Sequence, residues 1–226
     1  IRALSDELQN PAVLSVQAHP ELGLSVLNRF EMKELNTAGM YLKYPNRLLD
    51  CGFRLSTFGY DEYRISNIQL SSAKKVTSRL SLGANLLYYN ESSILNDESG
   101  HYFSSDLGFR YLLTDRINIA VLFENILRSD SERSLFSACL GFEYTPYKHT
   151  SFLMEASCGE DKKVNLSVGV ESVLSDRFIL RAGLKAESQT PSFGIGYMMD
   201  KWVIESGFSF HSELGVSSII GVRFAL

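Results

Sequence analysis

The residues whose types and spacing first suggest chemistry are His149, Thr150 and Ser151. Positions two apart on a strand share a face, so His149 and Ser151 form a base and nucleophile pair of the kind used by barrel-embedded lipid hydrolases. Asn165 is the nearest downstream residue to orient the base. The pair follows the turn Pro146-Tyr147-Lys148, and nothing nearby in the sequence supplies the oxyanion donors that acyl transfer needs. A solvated strand end is the plainer reading, and the chain reads as non-enzymatic. The four histidines (His19, His101, His149, His211) stand far apart and mostly in loop-like sequence, which is not a metal-site pattern. Cys51, Cys139 and Cys158 are odd in number and contain no CxxC, so neither a disulfide framework nor a zinc site is implied. They read as small strand side chains, and no cofactor is expected.

A second set is ionisable: Arg110, Glu143, Glu155, Glu171, Arg181, Lys185 and Glu205. Each lies on the polar side of an alternating segment, which in a barrel is the lumen side. Rings of charge in a lumen tune permeation, so these residues could line a selective pathway. The other reading is a cross-strand network filling a narrow lumen, and the scarcity of long loops favours it. A third feature, Asn10-Pro11, is either a gating hatch or the turn that leads into the first strand.

What must position these groups is a long series of strands. From about Leu22 onward the chain alternates with period two. Leu80, Leu82, Ala84, Leu86 and Tyr88 fall on one face, and Ser81, Gly83 and Asn85 on the other. The same pattern recurs in Val164 to Glu171, Phe178 to Lys185, Trp202 to Phe210 and Phe103 to Tyr111. Turn signals separate the runs: Pro45-Asn46-Arg47, Thr114-Asp115-Arg116, Pro146-Tyr147-Lys148, Ser175-Asp176-Arg177 and Asp200-Lys201. Segmentation on them predicts about fourteen strands of roughly nine to twelve residues, near the length a tilted strand needs to cross a bilayer. Connections after odd strands are mostly longer and more polar (Asn90 to His101, Arg128 to Arg133, Gly159 to Lys163, Glu187 to Pro191) than the tight ones after even strands. The first two odd connections, near Met32 and Tyr60, are short. Residues 1–21 differ: Arg2 to Leu14 can start a short helix with Ser5 as N-cap, and read as a plug preceding a barrel over 22–226.

Composition sets the outer bounds. The 226 residues are 45% apolar and 21% charged, and mean hydropathy is -0.04. No run approaches the roughly 18 to 20 apolar residues of a membrane helix. A β-barrel turns only every second side chain to lipid, so its average hydropathy stays near zero. The net charge of -4 argues against nucleic-acid binding, which requires a basic face. The chain opens at Ile1 without an initiator Met, which permits an exported protein with its targeting segment removed.

Alternation alone does not separate a membrane barrel from a soluble sandwich. Three observations favour the barrel. The strands follow one another without a covering helical layer. Ionisable groups sit on the polar face. Tyr88, Tyr111, Tyr144, Tyr147, Tyr197 and Trp202 cluster near strand ends, where aromatic girdles lie. The predicted fold class is an all-β transmembrane antiparallel β-barrel of the bacterial outer membrane, with a short N-terminal plug.

Several segments resemble one family in order and spacing. They are Asn10-Pro11-Ala12, Tyr63-Arg64 leading to Leu70 to Lys75, Arg79 to Ala84, Gly108 to Asp115, Gly141 to Pro146, Gly169 to Glu171, Phe178 to Leu184, Phe193 to Tyr197 and His211 to Gly215. The family is that of FadL-type outer-membrane barrels, in particular the PorV/PorQ-like relatives from Bacteroidetes. The resemblance implies fourteen strands. FadL-type members pass hydrophobic molecules through a lumen partly closed by an N-terminal hatch with an Asn-Pro-Ala-like motif. PorV/PorQ-like members are accessory barrels of type IX protein secretion. This chain is much shorter than typical members of either branch. The main expectation is a non-enzymatic accessory subunit of an outer-membrane secretion or assembly complex, bound by lipid and by other outer-membrane proteins. The alternative is a FadL-type passive transporter of small hydrophobic molecules.

Overall fold

The computed structural model describes residues 8–16, 19–94 and 98–226; the helix expected from Arg2 with Ser5 as its N-cap lies outside them. A short 3-10 helix, Pro11–Val16, precedes the first strand. The strands are β1 (Glu21–Asn28), β2 (Asn36–Tyr44), β3 (Asp50–Gly59), β4 (Tyr63–Lys75) and β5 (Leu80–Ser93). They continue with β6 (Glu98–Thr114), β7 (Ile117–Arg128), β8 (Ser137–Tyr147), β9 (Thr150–Gly159) and β10 (Val164–Leu174). The last are β11 (Phe178–Lys185), β12 (Thr190–Met199), β13 (Trp202–His211) and β14 (Gly215–Ala225). Each strand pairs antiparallel with its sequence neighbours. β1 also pairs with β14, from Glu21↔Ala225 to Asn28↔Ser218, so the sheet closes into a fourteen-strand barrel. Closure leaves no edge strand whose N–H and C=O groups would face lipid unpaired.

Burial runs opposite to that of a soluble protein. On β5 the amide side chain of Asn85 is 1% exposed while its neighbour Leu86 is 63% exposed. Outward positions all round the barrel are large and apolar, among them Leu24, Leu70, Phe109, Met154, Leu166, Ile195 and Ile220. Inward ones include Gln69, Ser81, Asn85, Asp106 and Glu155. A continuous exposed apolar surface of this kind is stable only against lipid tails. Tyr44, Tyr111, Tyr144, Tyr147 and Trp202 stand exposed at the ends nearest the tight turns, where they meet the membrane–water interface. Among the described residues no helix is long and apolar enough to cross a membrane.

The two ends of the barrel differ modestly. Turns at the end where β1 begins are two to five residues long, and connections at the other end are three to eight. Short turns mark the periplasmic side, so β1 starts there. The long polar loop expected from Asn90 to His101 is different in the structure. Asn90 pairs with His101 and Ser93 with Glu98, so most of that stretch belongs to the β5–β6 ladder, with β4 paired alongside as far as Ser93 and β6 running beyond the end of β7. Polar side chains on both faces mislead a reading based on alternation, because a strand that rises above the bilayer no longer needs an apolar face.

Three register shifts interrupt the ladder, and the largest lies between β6 and β7. Leu107 pairs with Phe123 but Ser105 pairs with Leu127, so β7 bulges over Glu124–Ile126. Asn125 adopts φ 57° there, a conformation that Asn tolerates better than most residues. Its backbone N–H donates to Asp106 Oδ1 at 2.9 Å and its side-chain Nδ2 to Leu135 O at 2.7 Å. The hydrogen bonds lost from the ladder are thereby replaced from the side chains around it.

Candidate functional site

The lumen is occupied on one wall by the segment Leu8 to Val16. Leu8, Asn10, Ala12, Val13 and Leu14 are buried although they belong to no strand. The wall receives them because its inward positions there are glycines. A Cβ on Gly83 would lie 2.5 Å from Pro11 C and 2.6 Å from Ala12 N. One on Gly108 would lie 2.1 Å from Asn10 Oδ1, and one on Gly52 would lie 2.6 Å from Leu8 Cδ2. The backbone of the segment therefore lies close on β5 and β6, and its Leu8 and Leu14 side chains lie on β3.

Asn10 shapes the segment. Its Oδ1 accepts from Ala12 N at 3.1 Å, and its carbonyl accepts from Val13 N, also at 3.1 Å, which turns the chain into the 3-10 helix begun by Pro11. Asn10 Nδ2 donates to Val121 O on β7 at 3.4 Å. Around it, Gln69 Nε2 donates to Leu8 O, and Asn85 Nδ2 donates to Leu8 O at 3.3 Å and Gln9 O at 3.1 Å. Gln9 Nε2 donates to Glu124 Oε1 at 3.2 Å, and Ser15 Oγ lies 2.7 Å from Ser81 Oγ. These wall amides are aimed at the segment's own carbonyls, which answers the need of buried backbone for partners.

The opposite wall carries alternating charge. Lys43 Nζ lies 3.1 Å from Glu21 Oε1, and Arg223 Nη1 lies 3.8 Å from Glu21 Oε2. Arg223 Nη2 is 2.8 Å from Glu205 Oε1, Arg181 Nη1 is 2.8 Å from the same oxygen, and Arg181 Nε is 2.6 Å from Glu171 Oε2. The series runs from β2 across the β1–β14 closure to β10. It crosses β12 over Gly194, whose missing side chain leaves room for the Arg181 stem.

Two cavities remain in the lumen beside the plug. The first, about 470 Å³, opens toward the extracellular end and is lined by Gln9, Arg29, Arg54, Phe58, Tyr89, Asp106 and Glu124 among others. The second, about 500 Å³, lies between Leu8, Tyr41 and Lys43 on one side and Arg181, Glu205 and Arg223 on the other. Thr37, Arg54 and Ser56 line both. The lining of the first is mainly polar, with apolar patches such as Phe58, Ile65 and Leu87, whereas that of the second is mainly apolar.

The eight-residue connection between β7 and β8 folds over the mouth. Arg133 Nε reaches Glu91 Oε2 at 3.3 Å, and Tyr63 Oη donates to Glu91 Oε1 at 3.0 Å. The guanidinium passes where Gly100 has no side chain, since a Cβ there would stand 2.2 Å from Arg133 Nη1. Asp130 Oδ1 accepts from the backbone of Glu132 and Arg133, and Glu160 Oε1 accepts from Phe136 N at 2.9 Å and pairs with Arg128. The Arg133 and Glu132 amides together with the Arg133 guanidinium hold the Asp130 carboxyl below the usual carboxylate range. The Phe136 amide and the Arg128 side chain do the same for Glu160.

The residues singled out from sequence separate into groups. Glu171, Arg181 and Glu205 meet in the charge ladder. Arg110 and Glu143 are joined through Asn118, with Arg110 Nη2 donating to Asn118 Oδ1 and Asn118 Nδ2 to Glu143 Oε2, both at 2.8 Å. Glu155 is buried on β9, and Lys185 is exposed at the extracellular end of β11. His149 and Ser151 do not form a pair: His149 Nδ1 faces Asp176 at 3.7 Å across two turns, and Ser151 Oγ lies 2.9 Å from Thr145 Oγ1. Asn165 is six residues along β10 from the position paired with Ser151, so no triad is assembled. Among the described residues no three His, Cys, Asp or Glu side chains are placed to hold a metal ion, and the three cysteines are unbridged. Glu21, Lys43, Arg223, Asp106 and Glu124 escaped the sequence reading. The first three sit at strand ends; the β1–β2 register sets Glu21 beside Lys43, and the β1–β14 closure brings Arg223 to them.

Comparison of the sequence with protein-family models and with curated proteins finds no match. Solved structures share the fold. The Pseudomonas putida toluene transporter TodX is 12% identical with a TM-score of 0.67, covering 99% of this chain and 93% of that one. A Pseudomonas aeruginosa FadL homologue is 12% identical with a TM-score of 0.64, covering 95% and 92%. The Acinetobacter baumannii outer membrane protein Omp33 is 10% identical with a TM-score of 0.61, covering 94% and 100%. With its outward apolar belt, this architecture is that of a β-barrel of the bacterial outer membrane. The neighbours agree with the FadL-type part of the resemblance and lend no support to the PorV/PorQ-like part.

Proposed function

We propose that the barrel is a passive, non-enzymatic conduit for small molecules across the outer membrane, restricted by its N-terminal segment. The observation that carries this reading is the pair of lumenal cavities, about 470 and 500 Å³, left beside the segment, the second of them bounded by the charge ladder. Volumes of that size suit single small solutes. Neighbours of the same fold that carry toluene favour a transporter, and the FadL-type resemblance points to solutes with an apolar body. The mixed lining favours solutes that carry polar groups as well.

An accessory subunit in a secretion complex would work with a lumen filled throughout, and the cavities speak against it. The two readings are separated by one preparation. The barrel is extracted in mild detergent, its co-migrating proteins are identified by mass spectrometry, and the purified barrel is placed in liposomes for osmotic swelling. Swelling that depends on solute, without a stoichiometric partner, is the expected result. No swelling with any small solute, together with a constant protein partner, would return the accessory reading to first place.

A further inference from the structure

Within the conduit reading, on which this inference rests, the extracellular cavity has an electrical direction. Its β1–β3 side presents Arg29 and Arg54, and its β6–β7 side presents Asp106 and Glu124. The acids are held in place: Asp106 accepts from Asn85 Nδ2 at 3.1 Å and from Asn125 N at 2.9 Å, and Glu124 accepts from Gln9 Nε2. Arg29 is set over the Phe58 ring, 5.8 Å from its centroid. Phe58 and Tyr89 add ring surface to the same cavity.

We infer that this cavity is a transit site for zwitterionic small solutes, such as free amino acids with apolar side chains. Fixed charges of opposite sign on two walls of a narrow lumen set up a field across the pore rather than along it. A solute of single charge is attracted by one wall and repelled by the other. A zwitterion turns so that its carboxylate faces the arginines and its ammonium faces the acids, and so gains at both ends. Its apolar side chain has the rings to lie against.

Three related solutes read this out in liposome swelling: phenylalanine, the cation phenylalanine amide and the anion N-acetylphenylalanine. Phenylalanine should enter several-fold faster than either ion. Arg29→Gln and Glu124→Gln, tested separately because Glu124 also touches the plug, should each bring the three rates closer together. Equal rates in the unaltered barrel, or a preference for phenylalanine that survives both substitutions, would overturn the inference while leaving the conduit intact. Failure of all three solutes and of neutral sugars to enter would remove the conduit reading and this one with it.

Discussion

Arg223, near the end of the last strand, lies 3.8 Å from Glu21 at the start of the first. The two ends of the barrel sheet are thus joined by charge as well as by the β1–β14 backbone ladder. Lys43 completes the acid's environment at 3.1 Å, and its side chain is only 6% exposed. Removal of one member of a buried ion pair costs far more than the pair contributes, because the other charge is left without compensation.

Lys43→Met is therefore expected to destabilise the barrel by roughly 3 kcal/mol, since Glu21 keeps the Tyr41 hydroxyl at 2.8 Å but, as a countercharge, only the longer contact to Arg223. Arg223→Met should cost less, about 2 kcal/mol, because Glu205 retains Arg181 and Glu21 retains Lys43. The temperature at which the folded band is lost on semi-native gels ranks the two. Equal stability of both variants with the unaltered barrel would show that the ladder is incidental to closure.

Gly83→Val tests the seat of the N-terminal segment. The new Cβ meets backbone atoms of Pro11 and Ala12, which no side-chain rotation relieves, while the β5 backbone itself accepts valine. The segment should leave the wall and single-channel conductance should rise several-fold, with folded mobility on gels retained. Gly221→Ala, whose nearest neighbour would stand at 3.6 Å, is the control and should conduct like the parent.

Arg133→Ala and Gly100→Val should act alike at the mouth. One removes the guanidinium that reaches Glu91, and the other displaces it from its path. A partly exposed pair of this kind contributes about 1 kcal/mol or less, so stability should barely change. Cleavage of the 129–136 connection by an added protease should become faster in both. Resistance equal to the parent would mean that the strap is held by Asp130 and Glu160 alone.

Acid should loosen the same connection. Asp130 and Glu160 have carboxyl groups held below their ordinary range in the folded barrel. Their contribution is complete above the pKa of the unfolded chain and is lost as pH falls through the lower folded values. Proteolysis of 129–136 should therefore be slow at neutral pH and accelerate below about pH 4. Asp130→Asn should raise the rate at neutral pH and flatten its dependence on pH, since Glu160 alone would still titrate. A rate independent of pH down to that range would contradict the assignment.

Much of the barrel was legible because lipid and lumen impose opposite demands on adjacent residues. Leu86 and Asn85 advertise this in two letters. The Asn10-Pro11 turn was also visible, but not its seat, since Gly52, Gly83 and Gly108 look like any small residues on a polar face until the segment is placed against them. The charge ladder was half legible. Glu171, Arg181 and Glu205 stand in mid-strand, whereas Glu21, Lys43 and Arg223 lie at strand ends, and the link between Glu21 and Arg223 exists only through closure of the first strand on the last. The bulge at Asn125 was missed: Phe123 to Leu127 reads as an uninterrupted run, and the sole cue is an Asn where a strand would favour a branched residue.

That bulge carries a lesson in insertion arithmetic. From Leu107 to Ser105 the chain advances two positions on β6, and from Phe123 to Leu127 it advances four on β7. The surplus is even, so Phe123 and Leu127 both still face outward. Surpluses of one also occur, between Leu112 and Thr114 on β6 and between Tyr144 and Tyr147 on β8, but each stands beside a tight turn where little strand lies beyond it. In mid-strand, an added pair of residues keeps lipid and lumen faces in step, while a single added residue turns the rest of the strand inside out unless a new bulge takes it up.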